Sequence, residues 1–184
     1  MLLRHFGGKQ PVRYWCQDET RLGLKTLTGR TITLKGVKPS GIVGWQRQNF
    51  YLYGLVEPAT GESFFWEFSH LDAVCFQEFL NLFSKAYPDS LNFIHMDNGS
   101  FHKSLALTWP DNVIPIFQPS HSPELNPIER LWEHIKQALS WQTCHNLNEL
   151  RNNLKQVLDS LSTEAIASLC GWHYIVSALL CATS

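Results

Sequence analysis

The sequence predicts an α/β fold: a mixed five-stranded sheet flanked by helices, with the first three strands antiparallel and the later two parallel to the first. Two patterns carry that expectation. Three strand-like segments open the chain, and the strands that follow alternate with helical segments. A third observation supports it, because 44% of the 184 residues are hydrophobic, enough for one core that buries roughly two-thirds of the surface an unfolded chain exposes.

The elements follow in order. "VRYWCQDE" over 12–19 reads as a short buried strand, and "NFYLYGLVEP" over 49–58 with "ESFFWEF" over 62–68 reads as a hairpin turned at Ala59-Thr60-Gly61. Ser69-His70-Leu71-Asp72 fits a capping box. The apolar positions Leu71, Val74, Cys75, Phe79, Leu82, Phe83 and Ala86 then recur near helical spacing until Pro88. "LNFIHM" over 91–96 is a fourth strand, and "VIPIF" over 113–117 a fifth, with a short helix expected around 103–107 between them. A helix over 127–140 shows one apolar stripe (Ile128, Leu131, Trp132, Ile135, Ala138, Leu139), and helices near 146–160 and 162–181 close the chain.

Composition narrows the function classes. No run of eighteen apolar residues appears, and the N-terminal apolar stretch is too short for a signal peptide, so the chain reads as soluble and cytoplasmic. Its five cysteines are odd in number and scattered, which indicates neither a disulfide framework nor a zinc knuckle. The net charge of −1 hides an asymmetry: residues 1–60 carry nine Lys/Arg against three Asp/Glu, whereas 61–184 carry six against thirteen. Between Thr20 and Tyr53 lie Arg21, Lys25, Arg30, Lys35, Lys38 and Arg47 with no acidic residue. Such a segment suits a phosphate backbone, and it equally suits a solvated β-rich surface.

In open α/β sheets the functional crevice lies beyond the carboxyl ends of the parallel strands. Asp18 and Asp97 are expected at two such ends, facing one gap although 78 residues separate them. Asp97 in Asp-Asn-Gly has a competing reading as a turn residue. Glu129 lies about 100° round the helix from Ile128, beside the apolar stripe. Asn126-Pro127-x-Glu129 also reads as a helix cap. Three carboxylates so placed suit Mg²⁺, which takes hard oxygen ligands, and two such ions serve phosphodiester displacement. His102 and Asn98 are candidates for the layer around the ligands, as is Asn126 if it does more than cap the helix.

Three blocks sharpen the choice: "CQDETRLGL" at 16–24, "HMDNGSFHKS" at 95–104 and "IFQPSHSPELNPIERLWEHIK" at 116–136. In this order they resemble the signature blocks of the mariner-superfamily DDE transposases, in their bacterial insertion-sequence branch. The resemblance spans roughly residues 12–140. It implies an RNase H-like fold and DNA cleavage and strand transfer at insertion-sequence ends, with two Mg²⁺ ions, for which Mn²⁺ substitutes, held by Asp18, Asp97 and Glu129. It implies transposon-end and target DNA as partners and a homodimer in the active complex. A nuclease or resolvase on the same fold is the alternative enzyme, and a decayed, non-catalytic DNA-binding or assembly module the alternative class.

The chain departs from the family's pattern in two ways. Only 31 residues separate Asp97 from Glu129, somewhat fewer than the family usually shows. A helix-turn-helix region is also expected before the first catalytic strand, where this sequence has a lead of 11 residues. The organisation expected is therefore that lead, a catalytic domain over 12–140, and C-terminal helices over 141–184 packed on the same domain. An upstream-encoded helix-turn-helix segment joined by frameshifting would complete it, and the protein would work at the nucleoid.

Overall fold

A central parallel strand is covered on both faces, so every residue along it is buried. β4 (Leu91–Met96) has that character: all six of its residues are buried. The computed structural model describes residues 10–24, 35, 48–119, 122–140, 142 and 144–183. Within them the strands are β1 (Val12–Gly23), β2 (Asn49–Val56), β3 (Ser63–Phe68), β4 and β5 (Val113–Phe117), forming one sheet in the order β3-β2-β1-β4-β5. β2 pairs antiparallel with both β1 and β3, while β4 runs parallel to β1 and β5 runs parallel to β4. This is the mixed sheet that the sequence predicts. β1 is longer than expected, because its antiparallel ladder with β2 continues to Gly23 opposite Asn49.

Alternation along β1 sends successive side chains to opposite faces. Trp15 joins Phe76, Phe79, Leu80 and Phe83 of α1 (Ala73–Ala86). On the other face Cys16 and Leu22 meet Ile128, Leu131, Trp132, Ile135 and Leu139 of α2 (Ile128–Leu139). The apolar stripe of α2 is therefore buried as its spacing predicts, except for Ala138, which is exposed. Leu150 and Leu154 of α3 (Leu147–Ser160), with Ile166 and Cys170 of α4 (Thr163–Cys170), extend the same cluster. A last helix, α5, covers His173–Thr183.

Local chemistry moved several boundaries. α1 begins at Asp72, whose Oδ1 accepts the Cys75 backbone N–H at 2.8 Å. Ser69 instead bonds the His70 ring, so the capping box does not form and Leu71 and Val74 stay exposed. The short helix expected around 103–107 is a series of turns. So short a segment nucleates poorly, and two hydrogen bonds between the Gln77 side chain and the Thr108 backbone (2.8 and 2.7 Å) tether its exit. The single C-terminal helix expected is two helices, parted at Gly171, where a Cβ would sit 2.4 Å from the Ala167 carbonyl and 2.9 Å from that of Pro58.

Gly54 is required for a different reason. It stands opposite Asp18 in the β1–β2 register, and a Cβ there would lie 2.5 Å from Trp132 Cη2 and 3.0 Å from Phe65. The missing side chain is the space that the indole fills. Ala in a strand normally strengthens it relative to Gly, but here it overpacks. Gly54→Ala is expected to lower stability by about 1–3 kcal/mol, read as an earlier urea midpoint; a midpoint unchanged or raised would contradict this packing.

Candidate active site

The parallel ladder of β1 and β4 ends where Cys16 stands opposite His95. Two residues further along each chain come Asp18 and Asp97, level with each other past the end of the ladder. The sheet register, set by the buried faces, thus brings two distant carboxylates to one place. α2 packs across the same end, with Glu129 in its first turn.

The three carboxylates sit in different surroundings. Asp18 accepts the Trp132 Nε1–H at Oδ2, 2.9 Å. Burial, and after it the charges of Glu19 and Glu129, push Asp18 well above the usual carboxylate range. Glu129 is raised too, by burial first; Lys136 opposes the rise, and Glu133 and Asp97 add to it. Asp97 is half-exposed and is held below its ordinary value, first by its hydrogen bond with His102 and also by the Gly99 N–H at 2.7 Å.

His102 is almost wholly buried, between the rings of Phe76 (4.5 Å) and Phe101 (4.1 Å). Its Nδ1 lies 2.7 Å from Asp97 Oδ1 and its Nε2 3.1 Å from Glu19 Oε1. Only the imidazolium has a proton for both carboxylates. Burial alone would lower its pKa, but the bonds to Asp97 and Glu19 outweigh it and raise the group to about 9. The Glu19 side chain is 7% exposed and accepts from Gln17 Nε2 at 2.6 Å.

The other sequence candidates take different places. Asn126 does not cap α2: the cap position is Pro127, with no side-chain bond, and the Asn126 amide donates to the Gln17 carbonyl at 2.8 Å. The capping reading is thereby corrected, because this amide ties the helix start to β1. Asn98 donates to the Gln118 carbonyl, and the Gln118 N–H donates to Met96 O at 2.9 Å, so it joins the chain leaving β4 to the chain leaving β5. Beside Glu129 a cleft of about 540 Å³ is lined by Glu124, Asn126, Glu129, Arg130, Glu133 and Trp172. Arg21 is exposed three residues beyond Asp18 on β1, and Lys35 is exposed. Lys25, Arg30, Lys38 and Arg47 lie outside the described residues.

Among the described residues, no three His, Cys, Asp or Glu side chains converge closely enough to hold an ion as they stand. Asp18, Glu129 and Asp97 are coupled instead through their fields. Asp97 adds to the rise of Glu129 and Glu129 to that of Asp18, and hard oxygen donors in one another's field are a donor set that a divalent cation fits, since its charge offsets the repulsion. Sequence reasoning passed over Glu19 and Trp132. The first adjoins Asp18 and alternation sends it to the opposite face, while the second was taken wholly as core.

Residues 13–151 match the family described as DDE superfamily endonuclease. The uncharacterized protein y4pE/y4sA of Sinorhizobium fredii is 27% identical over 127 residues, covering 68% of this chain and 84% of that protein. The insertion element IS630 uncharacterized 39 kDa protein of Shigella sonnei is 23% identical over 160 residues, 84% of this chain and 46% of that protein. The Mos1 transposase paired-end complex with left transposon end superposes with a TM-score of 0.66 at 14% identity, over 93% of this chain and 55% of that one. The fold is RNase H-like. The chain spans about half the length of the IS630 and Mos1 proteins it matches.

The His102 arrangement has a measurable pH signature. Its imidazole resonances are expected to titrate near 9 rather than 6.5, and Asp97→Asn to bring the midpoint down. Because the folded value is raised, the stabilisation is complete below about 6.5 and is lost as pH rises through about 9. Thermal melts across that window should show the fall; a His102 midpoint at or below 6.5 would refute the double hydrogen bond.

Proposed function

The chain belongs to the DDE superfamily endonuclease family, and from that premise we propose that it is a mariner-type transposase domain that cuts DNA at insertion-sequence ends and joins the freed end to target DNA. The observation that supports this reading is the register that puts Asp18 and Asp97 past the ends of β1 and β4, with Glu129 in the first turn of α2 near enough to feel the charge of Asp97 and to act on Asp18. Asp18, Asp97 and Glu129 would hold two Mg²⁺ ions, with Mn²⁺ as substitute. Bound there, the ions supply Lewis-acid polarisation of the phosphodiester and lower the pKa of a water or 3′-hydroxyl.

The chain's own groups do the rest. Burial by the sheet end and α2 keeps bulk water from Asp18, which strengthens the electrostatics of the site. His102 and the Gly99 N–H hold Asp97 through one oxygen, Oδ1. Asn126 sets the start of α2, and so the reach of Glu129, against β1; Asn98 keeps the exits of β4 and β5 together. Arg21 and Lys35, with Lys25, Arg30, Lys38 and Arg47, would neutralise the phosphates flanking the cut, so affinity should fall as salt rises. Residues 12–140 form the catalytic domain in this reading, with the C-terminal helices packed on it.

Joining two element ends requires two active sites, which makes a homodimer the working state. In this reading DNA at the nucleoid is the partner. Among the described residues no helix is long and apolar enough to cross a membrane.

Water-proton relaxation with Mn²⁺ tests the site without needing the natural DNA ends. Wild type should bind Mn²⁺, and Asp18→Asn and Asp97→Asn should each weaken binding at least about tenfold with melting temperature retained. Nicking of end-bearing DNA should fall to background in Asp97→Asn. Undiminished binding in both folded variants would overturn the assignment, and hydrolysis without joined products would reduce the function to a nuclease.

A further inference from the structure

Trp132 does two things that pull in one direction. Its ring fills the space above Gly54, the residue paired with Asp18 across β1 and β2, and its Nε1–H donates to Asp18 Oδ2 at 2.9 Å. The indole is 1% exposed, so its N–H depends on a protein acceptor rather than on bulk water. It also stands three residues after Glu129, nearly one turn along α2, on the neighbouring face. One helix thus carries a carboxylate and, one turn on, the donor that fixes another carboxylate on a strand.

From this geometry we propose that Trp132 is a positioning residue for Asp18: by occupying one lone pair of Oδ2 it fixes the rotation at which the Asp18 carboxylate is offered to a cation. The Glu19 backbone N–H, a second donor to the same carboxylate, is kept in every variant below. A carboxylate free to rotate presents its oxygens to a cation in many orientations, and ordering it on binding costs affinity. An N–H bond made beforehand removes that cost, as outer-layer partners do for metal ligands generally. Phe would fill most of the same volume and orient nothing. The hydrogen bond, beyond the packing, is what the proposal assigns. It rests on the reading of Asp18 as a ligand.

The test uses the full chain and Mn²⁺ alone. Trp132 is replaced site-specifically by 3-benzothienylalanine, which keeps the bicyclic shape and substitutes sulfur for the N–H, and separately by Phe. Mn²⁺ affinity is read by water-proton relaxation beside the melting temperature, and the Trp132 indole N–H resonance is followed in Asp18→Asn. The benzothienyl variant should melt like wild type yet bind Mn²⁺ about 10–100-fold more weakly. Trp132→Phe should show the same loss in binding, with some loss of stability added. The indole proton should move upfield when Asp18 is changed.

Wild-type Mn²⁺ affinity in the benzothienyl variant, with Asp18→Asn still impaired, overturns the positioning role and leaves the site reading intact. Equal Mn²⁺ binding by wild type and Asp18→Asn, or no binding by either, removes the ligand reading and this proposal with it.

Discussion

The contact between one indole and one glycine sets the spacing of the active end. Trp132 reaches Asp18 only because Gly54 leaves room for the ring against the sheet. Any side chain at 54 would lift α2, and with it Glu129, from β1. The indole N–H, buried as it is, would cost about 1–3 kcal/mol if left without an acceptor; Asp18 is the acceptor it has. Packing and polar satisfaction therefore select the same helix position, and the apolar stripe of α2 holds it there.

Charge is the second constraint. Burial raises Asp18 and Glu129 first, and the charges of neighbouring carboxylates add to the rise. The fold answers differently at each. Asp97 has a buried imidazolium beside it, Asp18 has a neutral indole donor, and Glu129 has Lys136 further along its own helix. Only Asp97 therefore falls below its ordinary value. The three carboxylates thus stand between repulsion and compensation, and in the proposed reading a divalent cation would relieve the repulsion that is left.

Much of this was legible in the chain. The strands over 91–96 and 113–117 were readable to the residue, because short, largely apolar runs bounded by turn signals leave little choice. So was the stripe of α2. Helix starts were less legible: Ser69 and Asp72 are both good caps, and the choice between them depends on where Phe76 and Phe79 must meet the sheet. Asn126 shows the same limit more sharply. Its local pattern is that of a cap, yet a β1 carbonyl 109 residues away takes its amide.

By itself the sequence determined the order of the strands and the mixed sheet, and it singled out three candidate carboxylates, since periodicity, turn residues and short signature blocks are local properties of the chain. The tertiary structure decided which neighbours those carboxylates keep. Glu19 becomes a partner of His102, and Trp132 a donor to Asp18, only after β1, the loop following β4 and α2 come together. A hydrogen bond or a field between residues some 80 to 115 positions apart depends on distance in space, and spacing along the chain carries no record of it.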